Sequence, residues 1–150
     1  MIVPEKLPIV RMDNEHTRYV GTCADGRLFW GYTTFAFSTI FSLDNDNWDS
    51  NRKEFVVLHL FKKNGRYSTT RHLFAGTADK ADKAEMTRTL ESWIAELGEV
   101  TYTDIEVCLF QTSINKVTFG LIVNEDNESI DLQPSATISF EEPWNGEYFT

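Results

Sequence analysis

Cysteine is scarce in this chain, with two in 150 residues. Cys23 and Cys108 stand far apart, and neither sits in a C-x-x-C or Cys/His spacing, so no zinc ribbon is expected and a disulfide is the less favoured reading. Two buried free thiols are expected instead. Long apolar runs are also missing: none approaches the roughly 18 residues that a membrane-spanning helix needs, so an integral helical membrane protein is excluded. Met1 to Val10 holds two prolines together with Glu5 and Lys6. That segment does not read as a secretory signal, and the expected location is the cytoplasm. No phosphate loop, dinucleotide fingerprint or H-E-x-x-H motif is present.

Base is lacking from one half of the chain. Thirteen of the 14 Lys and Arg residues lie in positions 1–88, and in positions 89–150 Lys116 stands alone against 12 carboxylates. The net charge of −9 thus hides a split, about +2 before position 89 and −11 after it. A negative surface made by the late carboxylates would repel phosphate backbones and attract basic partners, so nucleic acid is not an expected partner. A plainer reading is that acidic loops keep the protein in solution.

The core-forming material is ample. Hydrophobic residues make up 41% of the chain, with 11 Phe, 5 Tyr and 4 Trp. One domain over residues 1–150 is expected, with residues 1–16 as an extended N-terminal arm. Residues 18–37 read as a β-hairpin about Asp25-Gly26, in which a two-residue turn pairs Ala24 with Arg27, Gly21 with Trp30, and Tyr19 with Tyr32. A second hairpin over 54–75 turns at Asn64-Gly65 and sets Lys63 opposite Arg66. That register places Val56, Leu58, Leu60, Tyr67 and Leu73 on one face, and Phe55, Val57, His59, Phe61, His72 and Phe74 on the other.

The spacing of Met86, Leu90, Trp93, Ile94 and Leu97 predicts a helix over 78–97, capped by Thr77 and closed by Gly98. Ile105 to Ile114 and Val117 to Val123 form a third hairpin about Asn115 and Lys116. Short pieces near 129–132 and 136–140 add edge strands. The expected fold class is therefore α+β: a mainly antiparallel sheet built from three β-hairpins, with one amphipathic helix packed on it.

Four groups of residues invite a functional reading. His59 and His72 fall on one face of adjacent strands at diagonal positions, with His59 opposite Thr70 and His72 opposite Val57. Two imidazoles so placed can share a metal or a proton, but no carboxylate lies on that face of the hairpin. Ser68, on the same predicted face, lacks a nucleophile-elbow motif. These histidines are the only catalytic candidates, and no metal or cofactor is expected.

The loop Asp44 to Asp49 approximates a calcium loop but fails it three times: Trp48 at the fifth position, Asp49 where glycine belongs, and Phe55 where the bidentate Glu belongs. Trp48 in that polar loop is a candidate contact residue. The ending Glu141-Glu142-Pro143-Trp144-Asn145-Gly146-Glu147-Tyr148 mixes aromatics with acids and no base, which makes Glu141, Glu142, Trp144, Glu147 and Tyr148 candidate binding residues. Lys62, Lys63 and Arg66 form a basic hairpin tip, which reads as a solvated turn or edge protection.

Asp25-Gly26-Arg27, Phe74-Ala75-Gly76-Thr77 before the helix, and the Pro143 to Tyr148 ending resemble small acidic bacterial proteins with no characterised activity. That resemblance is spread over most of the chain and carries over no catalytic residue. The expected function is a non-enzymatic acidic protein-interaction module, inhibitor- or immunity-like or an adaptor, engaging a basic protein partner. The alternative is a small-molecule-binding domain or enzyme with a pocket at His59 and His72. Self-association through a surplus apolar sheet face is a third reading.

Overall fold

The computed structural model describes residues 1–37 and 48–150. Within these lie β1 (Lys6–Ile9), β2 (Tyr19–Cys23), β3 (Leu28–Phe37), α1 (Trp48–Asn51), β4 (Arg52–Phe61), β5 (Tyr67–Thr77), α2 (Lys83–Glu96), β6 (Val100–Tyr102), β7 (Ile105–Cys108), β8 (Gln111–Ile114), β9 (Val117–Asn124), β10 (Ser129–Gln133), β11 (Ser139–Phe140) and β12 (Tyr148–Phe149). The strands form one sheet in the order β5-β4-β3-β2-β6, a second in the order β12-β11-β10-β9-β8, and a two-stranded pair β1-β7. Every pairing is antiparallel.

The alternation of side chains along β3 and β4 decides the layering. Trp30, Tyr32, Phe55, Val57 and Phe61 point to one side, where they are buried with Phe119, Leu121, Leu132 and Phe140 of the second sheet and with Leu7 and Val107 of the β1-β7 pair. Phe29, Val56 and Leu58 point to the other side, where Met86, Leu90, Trp93 and Ile94 of α2 cover them. A strand apolar on both faces is what a sheet buried on two sides requires. Gly31 lets the helix lie close, since a Cβ there would stand 2.6 Å from Leu90 Cδ1.

Two turns differ from the sequence reading in the same way. Cys23 N donates to Arg27 O and Gly26 N to Cys23 O, so the first turn has three residues, and β2 pairs with β3 as Tyr19↔Gly31, Val20↔Trp30 and Gly21↔Phe29. Likewise Lys62 N donates to Arg66 O and Gly65 N to Lys62 O, so Lys62, not Lys63, faces Arg66. A two-residue type I′ turn needs positive φ at both central residues. Among these four only Gly26 and Gly65 have it, with φ of 94° and 90°. Asp25 Oδ1 and Asn64 Oδ1 instead accept from the backbone N–H two residues on, from Arg27 and Arg66. At Asn115-Lys116 both residues do have positive φ, and Ile114 pairs with Val117.

In the second hairpin the register shifts at Ser68, so that Phe61 pairs with Tyr67 while His59 pairs with Thr70 and Val57 with His72. This shift turns Tyr67 onto the His59 face rather than the Val56 face, and leaves Ser68 unpaired and exposed. A second shift at Ala75 separates Phe55↔Phe74 from Glu54↔Gly76.

Three further corrections concern extent. The helix begins at Lys83, not residue 78. Asp82 caps it by accepting from Ala84 N and Glu85 N, whereas residues 77–81 turn back on themselves through Lys80 N and Ala81 N donating to Thr77 O. The N-terminal arm contains β1, which pairs with β7, so the first strand of the third expected hairpin divides between two sheets. The segment near 129–132, expected at an edge, is central: β10 lies between β9 and β11. The cysteines are free, Cys23 buried and Cys108 half-buried. Among the described residues no helix is long and apolar enough to cross a membrane.

Candidate functional site

His59 and His72 end up in different environments. His59 is fully buried in β4, with Nε2 2.8 Å from Tyr32 Oη and Nδ1 2.7 Å from Thr70 Oγ1, and Tyr67 Oη lies 2.7 Å from the same threonine hydroxyl. The rings of Trp30, Tyr32 and Phe110 pack around it. Burial drops its pKa to about 3 and pushes that of Tyr32 well up, so the imidazole is neutral and both its nitrogens are occupied. His72, on β5 at the sheet edge, is exposed. Among the described residues no group of three or more His, Cys, Asp or Glu side chains is arranged to hold a metal.

The calcium-like loop lies mostly outside the described residues, from Asp44 to Asn47. Trp48 opens α1 and is 48% exposed. Its end of the central sheet is the one reached by Ser135, whose hydroxyl donates to Phe35 O, at the foot of β10.

The tail residues gather at the other end of the second sheet, and strand order shows why. β9 closes at Asn124 and β10 opens at Ser129, so Glu125, Asp126 and Glu128 form the turn between them. Phe140 pairs with Ile130, near the start of β10, so the chain leaves β11 at Glu141 beside that same turn. Tyr148 then pairs back to Phe140, which brings Glu147 to the same end. Lys116, the single base in residues 111–150, sits in the β8–β9 turn at the opposite end. Glu125, Asp126, Glu128, Glu141, Glu142 and Glu147 are all exposed, and none of them is in an ion pair among the described residues.

The aromatics of the tail fix this end to the body. Trp144 Nε1 donates to Ile2 O at 3.1 Å, and Tyr148 Oη accepts from Asn14 Nδ2 and lies 3.1 Å from Thr17 Oγ1. Both side chains are half-buried, but Phe149 is 60% exposed. Beside them opens a mainly apolar groove of about 410 Å³, lined by Val10, Met12, Tyr148 and Phe149, with Glu147 on its wall. The sequence reading missed Val10 and Met12, because strand pairing of the N-terminal arm is what carries them to the tail.

The late carboxylates do not form one face. Glu91 and Glu96 belong to α2 and Glu99 follows it, on the far side of the central sheet, and Glu96 is paired with Arg71. Asp131, from the same late set, is buried instead. Burial acts to raise its pKa, yet hydrogen bonds from Asn124, Ser129 and Ser139 outweigh it and hold the carboxyl below its ordinary value. Among the described residues, the topology assembles a cluster of exposed, unpaired acids at the β9–β10 and β11–β12 connections. Comparison with protein-family models, curated proteins and solved structures finds no match to this chain.

Proposed function

We propose that this chain is a non-enzymatic interaction module that holds a basic protein partner at the acidic end of its second sheet. One observation carries this reading: six exposed, unpaired carboxylates gather at the β9–β10 and β11–β12 connections, and one of them, Glu147, lines a groove formed with Val10, Met12, Tyr148 and Phe149. Unneutralised charge steers and selects a cationic partner, while an adjoining apolar groove takes an anchoring side chain, and interfaces derive most of their affinity from such anchors. An inhibitor that neutralises a cationic protein and an adaptor both fit this chemistry. His59 supports no catalytic role here, since its nitrogens are spent on Tyr32 and Thr70.

A synthetic peptide alternating Arg with Leu and Phe serves as the probe. It is expected to bind the native chain, to lose at least about tenfold in affinity against the E141K/E142K/E147K variant, and to keep its affinity for the E91K/E99K variant. Equal losses in the two variants would overturn the assignment to this end of the molecule.

A further inference from the structure

We propose that β5 is a docking edge for a second copy of this chain, joined across a two-fold axis at His72 so that the five-stranded sheet continues from one protomer into the other. β5 is an edge strand of 11 residues, and among the described residues no strand pairs with its outer row of backbone donors and acceptors. Soluble proteins usually blunt such an edge with charge, proline or brevity. Here Tyr67–Thr77 contains Arg71 as its single charged residue and no proline. The strand also projects beyond both covering layers: Leu73 on the α2 side is 42% exposed and Phe74 on the opposite side 43%.

The sequence of the edge accommodates a copy of itself. The register shifts at Ser68 and Ala75 bracket a regular stretch, Thr69–Phe74, that a partner strand can follow. A two-fold axis normal to a continuous sheet keeps each face on its own side, so a residue must oppose one of the same parity. Centring on Arg71 would set two guanidinium groups opposite each other, which is unfavourable. Centring on His72 pairs Thr70 with Phe74 and Arg71 with Leu73, brings no like charges together and stays within the bracketed stretch.

Charge on the flanks allows the approach despite the net −9. Arg71 is neutralised by Glu96 and lies over Trp93. The acidic β11–β12 connection lies over the β2 side of the central sheet, where Tyr148 meets Thr17, while β9 covers β4 through the contact of Phe119 with Phe55. The dimer therefore leaves the acidic end free.

Sedimentation velocity of the full chain from micromolar to millimolar concentration tests the proposal together with cysteine variants. The native chain is expected to show a concentration-dependent monomer–dimer equilibrium, and Phe74→Asp to weaken it by at least about tenfold. Opposed residues on antiparallel strands have Cα atoms roughly 4.5–5.5 Å apart, within disulfide range. His72→Cys is accordingly expected to form a covalent dimer under mild oxidation much faster than Arg71→Cys or the native chain with Cys23 and Cys108. A native chain that stays monomeric throughout, or equal cross-linking of His72→Cys and Arg71→Cys, overturns it. Neither result bears on binding of the basic probe at the acidic end.

Discussion

At the scale of single residues, two polar side chains, His59 and Asp131, occupy positions deep in the sheets, and each is held by hydrogen bonds from its neighbours. Their identities were visible in the sequence, but their burial was not. His59 alternates with apolar neighbours in a way that fits either a core or a site, and the choice is made by Tyr32 and Phe110, which arrive from other strands. A histidine whose folded pKa lies near 3, against 6.5 when free, takes up its proton more readily unfolded. Its contribution to stability is thus complete above about pH 6.5 and is lost as pH falls toward 3. Urea unfolding at about pH 7.5 and about pH 5 should show a loss of about 2 kcal/mol in the native chain. His59→Gln should be less stable at the higher pH but lose much less between the two, because Asp131 titrates only at lower pH. An unchanged pH slope would contradict the buried, neutral imidazole.

At the scale of elements, what could be read were the segments whose signals are local. Of the stripe Met86, Leu90, Trp93, Ile94 and Leu97, the first four are the buried residues of the helix, and Leu97 lies just past its end as the half-buried C-cap. The glycine turns located Gly26 and Gly65 but not their registers, since Asp-Gly and Asn-Gly serve equally a two-residue turn and a three-residue turn with glycine left-handed. The helix start was misplaced for a related reason: Thr77 and Asp82 are both competent caps, and only the folded chain shows which carries α2. Asp82→Ala should therefore cost about 1 kcal/mol in chemical unfolding. Thr77→Ala, whose hydroxyl reaches the exposed Asp79, should change stability by less than about 0.5 kcal/mol. The reverse order would restore the earlier helix start.

At the scale of the whole molecule, the division of charge along the chain was legible, and its distribution in space was not. Half of the reason is α2, which takes Glu91 and Glu96 to the opposite side of the central sheet. The other half is strand order in the second sheet, which folds two sequence-distant acidic connections to one end and sends Lys116 to the other. The N-terminal arm then adds the groove, through a pairing of β1 with β7 that no short-range signal announces. An acidic end with an apolar anchor site should act through long-range attraction that salt screens, combined with a contact that salt leaves in place.

Amide chemical shifts of the native chain, recorded as the Arg/Leu/Phe peptide is added at rising ionic strength, test this account most directly. Shifts should concentrate at Val10 to Met12, Glu125 to Glu128 and Glu141 to Phe149, with affinity falling steadily as salt is raised. Shifts centred on α2, or an affinity indifferent to salt, would contradict it.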